Sequence, residues 1–111
     1  MTRHEAIEEI TRRLVEYYRP ERIYLFGSEA RGDAGPDSDL DFLVVVPDDA
    51  SRELLRGRGL YSRLAGVGVA KDVLPWTRSH FDQMAAYEPS SLPATVVKEG
   101  RLLYESGRIA A

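Results

Sequence analysis

The sequence predicts a small α/β domain. Three observations carry that expectation: an apolar stripe at helical spacing near the start, two short apolar strands separated by a polar turn, and a further alternation of strand and helix signals toward the end. At 111 residues the chain has room for one core and not for a second of ordinary size, so residues 1–111 are read as a single domain.

Ile7, Ile10, Leu14 and Tyr17 or Tyr18 recur at helical spacing, behind Thr2 and Glu5 set three apart as a capping box. Arg19-Pro20 ends that helix, because a residue before proline is driven out of the α region. Residues 23–26 read as a short buried strand closed by Gly27-Ser28. Residues 29–38, with Gly32, Gly35 and Pro36, read as a turn of helix followed by a loop. The clearest strand is 39–46: Leu40, Phe42 and Val44 share one face, and residues 43–46 make its far end apolar on both. Pro47 stops it. A helix is expected over 50–64, capped by Asp48 or Asp49, with Leu54, Leu55, Leu60 and Leu64 inward. Gly57 and Gly59 weaken its middle by about 1 kcal/mol each relative to alanine. A third strand follows over 69–74, ended by Pro75. Thr77 or Ser79 caps a helix through Tyr87, Ser90-Ser91 precede a last helical turn, and 102–104 adds an edge strand.

The composition, 43% hydrophobic and 30% charged, is that of a soluble globular protein. No apolar run approaches the roughly 20 residues that span a bilayer. The charged N-terminus has no apolar signal-peptide core. With no cysteine there is neither a disulfide framework nor a thiolate metal site, and a cytoplasmic location is expected. The net charge of −3 disfavours a long nucleic acid, whose affinity comes largely from phosphate contacts. Arg52, Arg56, Arg58 and Arg63 form a basic cluster, read as a solvated helix face or a binding patch. His4 and His80 are isolated and read as surface or packing residues. Tyr17, Tyr18, Tyr61 and Trp76 read as core or interface.

The chemistry concentrates in Gly27-Ser28, ten further residues, then Asp39-Leu40-Asp41. Alternate residues of a strand point to one face, so Asp39 and Asp41 would stand roughly 6–7 Å apart at the backbone. Two carboxylates so placed, beside the apolar run that begins at Phe42, repel unless a cation lies between them. Oxygen-only ligands favour Mg²⁺ or Mn²⁺. Asp72, in the third strand, would complete a two-metal site if that strand lies beside Asp41. Gly27 lets backbone approach a ligand closely, and the Ser28 hydroxyl and the free amides of a helix start suit a triphosphate. Arg31 touches phosphate, steadies the acids, or pairs with Asp33, Asp39 or Asp41.

Phe26-Gly27-Ser28-Glu29-Ala30-Arg31-Gly32, followed by Ser38-Asp39-Leu40-Asp41-Phe42-Leu43-Val44, resembles the signature of minimal nucleotidyltransferases of the DNA-polymerase-β superfamily, above all the MNT-type antitoxins. The resemblance runs from about residue 5 to 105. It implies a polymerase-β-like fold, a small mixed sheet flanked by helices. It implies Asp39, Asp41 and Asp72 as catalytic metal ligands for two Mg²⁺ ions, with Gly27, Ser28 and Arg31 at the triphosphate of ATP. The partner it implies is a HEPN-type toxin, in a hetero-oligomer, that receives AMP on a tyrosine hydroxyl. A chain so small would select its nucleobase weakly. A module that neutralises a toxin by steric masking is the alternative. Transfer to a small molecule such as an aminoglycoside would call for a further substrate-binding domain.

Overall fold

The computed structural model describes residues 1–106. Among them, no helix is long and apolar enough to cross a membrane. The first helix, α1 (Arg3–Tyr18), starts at the predicted capping box: the Thr2 hydroxyl accepts from the Glu5 amide, and Glu5 accepts from the Thr2 amide. It ends at Arg19, whose φ of 47° is left-handed, so Pro20 never enters the helix. Then follow β1 (Arg22–Phe26), the single helical turn α2 (Ser28–Arg31) and β2 (Leu40–Val46). The rest comprises α3 (Arg52–Leu55), α4 (Leu60–Arg63), β3 (Lys71–Thr77), α5 (Arg78–Tyr87), α6 (Leu92–Glu99) and β4 (Arg101–Glu105).

The four strands make one mixed sheet in the order β3-β2-β1-β4. β1 is antiparallel to both β2 and β4, and β2 is parallel to β3. The inner strand β2 is buried on both faces from Phe42 to Val46, as its unbroken apolar run requires. Leu40, Phe42 and Val44 face α1, where Ile7, Ile10, Leu14 and Tyr18 close the larger core with Leu60 and Leu64. Leu43 and Val45 face the other way, onto Phe81 of α5 and Val96 of α6. Each such fully buried side chain contributes about 1.5–3 kcal/mol.

Three expectations need correction. The helix over 50–64 is two single turns, because Gly57 and Gly59 take φ of 70° and 77° and turn the chain between them. Ser51 caps the first, accepting from the Leu54 amide at 3.2 Å. The predicted cap Asp48 instead reaches α5, where its carboxylate accepts from the Ser79 amide (2.8 Å) and hydroxyl. Finally, β3 runs through Pro75 to Thr77. It is an edge strand, and an edge strand tolerates a residue without an amide hydrogen. Of the aromatic residues, Tyr18 is buried, whereas Tyr61 lies outside the core at 73% exposed. His4 pairs with Glu8 on the α1 surface, and His80 rests against Trp76.

Candidate active site

Strand pairing brings Asp41, Asp72 and the turn at Gly27 together. Parallel register sets Asp41 opposite Asp72, and antiparallel register sets it opposite Phe26, the residue before Gly27. Asp39 lies just outside β2, which begins at Leu40. Asp41 and Asp72 share the sheet face that α5 and α6 cover farther along, at Leu43, Val45 and Tyr24. That cover fades toward the acids. Leu74, two residues beyond Asp72, is 40% exposed, Asp72 is exposed and Asp41 is half-buried. Water therefore reaches this end of the strand pair.

Gly27 is required on two counts. Its φ of 76° and ψ of −155° lie where only glycine is at ease. A Cβ built there would overlap Oδ2 of Asp41 and lie 3.3 Å from its Cγ. The glycine thus leaves the space that the Asp41 carboxylate fills. Ser28 follows as the first residue of α2, and among the described residues its hydroxyl makes no hydrogen bond. The first-turn amides have no intrahelical acceptor, as at any helix start.

The electrostatics agree with the geometry. Asp41 is held above the ordinary aspartate range, first by burial, then by the charge of Asp72, then by that of Asp39; Arg31 acts the other way. Asp72, distant in sequence, thus presses on Asp41 harder than its neighbour Asp39 does. Among the described residues none of the three carboxylates accepts a hydrogen bond or forms an ion pair. Of its possible partners Arg31 takes Asp33, with Nε 3.4 Å from Asp33 Oδ2, and reaches Asp41 only through its field.

The donors are anionic and oxygen-only, which fits a hard divalent cation such as Mg²⁺ or Mn²⁺ better than a thiolate- or imidazole-seeking metal. Among the described residues no three of His, Cys, Asp or Glu are drawn into a ready-made metal cage. Mg²⁺ is in any case usually held by one or two carboxylates together with substrate phosphates. An open groove of about 440 Å³ between α1 and β4 lies on the other face and at the opposite edge of the sheet. No acidic pair meets across the sheet there, so the acids mark the site rather than the groove.

Arg3 is a contributor that the sequence reading missed. From the start of α1 it donates to the carbonyls of Ser38 (2.8 Å) and Pro36 (3.4 Å), and its Nε faces Glu29 at 3.5 Å. It ties down the loop that delivers Asp39. Its partners lie 26 to 35 residues away with no periodic signal to link them, so nothing in the sequence announces it.

The comparisons bear on the family and the fold. Residues 6–103 match the family model described as a nucleotidyltransferase domain, which spans most of the chain, and the protein belongs to that family. No curated protein matches it in sequence. Two solved structures share the fold. One is a toxin–antitoxin crystallised with AMP-PNP, 20% identical with a TM-score of 0.58, the match covering 92% of this chain and 75% of that one. The other is a candidate nucleotidyltransferase from Sulfolobus solfataricus, 24% identical with a TM-score of 0.58, covering 94% of this chain and 81% of that one. The sheet flanked by helices is therefore the nucleotidyltransferase fold that the motif implied.

Two predictions follow from the packing around Asp41. Gly27→Ala forces φ out of the glycine region and pushes the Asp41 carboxylate aside, with an expected loss of about 1–3 kcal/mol in urea unfolding. A variant as stable as the parent would refute the close approach. Asp41 itself favours its neutral form in the fold, so stability falls as pH rises from the ordinary value of 3.8 toward its raised value, and the penalty is full above that. In metal-free buffer Asp41→Asn should therefore melt higher than the parent at pH 7, with the gap closing below pH 3.8. A lower melting temperature at pH 7 would contradict the repulsion.

Proposed function

We propose that this chain is a Mg²⁺-dependent nucleotidyltransferase that moves AMP from ATP to a hydroxyl, a tyrosine on the family pattern, of a partner HEPN-type toxin, and so acts as an antitoxin. The observation that carries the reading is the Asp41–Asp72 pair, with Asp39 beside it and Gly27 behind it, in a chain of the nucleotidyltransferase domain family. The structural neighbour that is a toxin–antitoxin with AMP-PNP supports both the nucleotide and the partner. The acids, Gly27, Ser28 and Arg31 are proposed as site residues of a single domain that works in the cytoplasm.

Asp39, Asp41 and Asp72 are the residues that would hold Mg²⁺, two ions on the family pattern. Bound there, Mg²⁺ would offset the charge of the triphosphate and polarise the α-phosphate. The chain's own groups do the rest. Gly27 keeps the backbone thin where the triphosphate approaches Asp41. The Ser28 hydroxyl and the first-turn amides of α2 donate to phosphate oxygens. Arg31, already favouring the ionised form of Asp41, balances the added phosphate charge. The acceptor oxygen forms the new bond to the α-phosphorus, the bond to the pyrophosphate oxygen breaks, and Asp72, the exposed acid of the strand pair, takes the hydroxyl proton. In-line attack needs that hydroxyl within about 3–3.5 Å of phosphorus, so the complex must form before the chemistry.

Incubation of the partner toxin with this chain, ATP and Mg²⁺ should add mass in units of AMP. Asp41→Asn or Asp72→Asn should reduce the rate at least about 100-fold, the scale on which loss of a transition-state contact acts. Toxin neutralisation that persists in an Asp39→Asn/Asp41→Asn double variant with no mass gain would favour steric masking instead.

A further inference from the structure

The α3–α4 segment carries charge that the catalytic reading does not use. Between residues 50 and 65 there are four arginines, Arg52, Arg56, Arg58 and Arg63, against one acid, Glu53, in a chain whose net charge is −3. All four are exposed, and among the described residues Arg52, Arg56 and Arg58 form no side-chain hydrogen bond or ion pair. Elsewhere Arg12, Arg13, Arg22, Arg31 and Arg78 each meet a carboxylate. Arg19, Lys98 and Arg101 also meet no carboxylate among the described residues, but each stands apart in sequence, whereas Arg52, Arg56 and Arg58 fall within seven residues.

A pocket of about 100 Å³ opens within that patch. Arg56, Gly57 and Tyr61 line one side, Val73 and Pro75 of β3 the other, and Tyr18 the floor. Tyr18 is 2% exposed, and its hydroxyl has no hydrogen-bond partner among the described residues. It lies 3.9 Å from where a Cβ on Gly57 would stand. A buried hydroxyl without a partner is costly, and an acceptor oxygen is what it lacks. The planar fork of Arg56 matches a carboxylate.

We propose that this pocket anchors an acidic side chain of a partner protein, held by Arg56 and Tyr18 and steered in by Arg52 and Arg58. Size and charge choose the occupant. At about 100 Å³ the pocket has room for a side-chain carboxylate. The acidic chain as a whole repels a long polyanion, while a short acidic segment meets only the local arginines. The pocket wall at Val73 adjoins Asp72 along β3, so a partner anchored here lies at the sheet edge that carries the third acid. In its choice of a protein occupant the inference rests on the function proposed above.

The test is an amide-resolved NMR titration of the full chain with a blocked hexaglutamate peptide, with a single-stranded RNA hexamer in parallel. The peptide should shift residues 54–61 and 73–75, and its Kd should rise at least tenfold in Arg56→Ala/Arg58→Ala and at least threefold in Tyr18→Phe. Asp41→Asn should bind the peptide as the parent does even where nucleotide transfer is lost, which separates this surface from the catalytic reading. The inference is overturned by an absence of shifts at 54–61, by an unchanged Kd in the arginine variant or in Tyr18→Phe, or by tighter RNA binding at the same residues.

Discussion

The repulsion between Asp41 and Asp72 governs the candidate site. Parallel pairing of β2 with β3 leaves these carboxylates no choice of neighbour, since register alone sets them opposite each other. Gly27 stands against one of them, and among the described residues neither carboxylate accepts a hydrogen bond or forms an ion pair. The rest of the local structure accommodates that conflict. α5 and α6 cover Leu43 and Val45 but leave the acidic end open to water, and Arg31 offers its field from a distance while bonding to Asp33. A fold organised for stability alone would place a cation or an amide there. In the function proposed above, that charge is met by a divalent cation that arrives with the triphosphate.

The same reasoning accounts for the mixed sheet. Both faces of β2 must be buried from Phe42 onward, which needs helices on both sides. At Asp41 the strand is only half-buried, where the cover of α5 and α6 fades. Arg3 completes the arrangement by fastening the loop from α2 to β2 to the start of α1, so that Asp39 is presented from a tethered segment.

Much of this was legible in the sequence, for physical reasons. β1, β2 and α1 announce themselves by apolar periodicity, and the Gly-Ser and Asp-x-Asp spacing puts turn and acids at one sheet end once those strands exist. Asp72 was legible as a strand carboxylate, but its position opposite Asp41 depends on which strand pairs with β2, which no local pattern reveals. The 50–64 segment misled because its leucines keep helical spacing across two glycines that take positive φ. Asp48 misled for a related reason: capping signals are local, whereas its partner Ser79 lies 31 residues away. Arg3 and the pocket under Arg56 are tertiary facts with no sequence signature at all.

The central claim is that the acidic end of β2 and β3 binds a divalent cation together with a triphosphate. Its most direct test is Mn²⁺ binding, followed by electron paramagnetic resonance, to the full chain with and without AMP-PNP. The account predicts that nucleotide strengthens Mn²⁺ binding at least tenfold, and that Asp41→Asn and Asp72→Asn each abolish the gain while the fold remains intact by circular dichroism. Equal Mn²⁺ binding in parent and variants, or no effect of nucleotide, would contradict it.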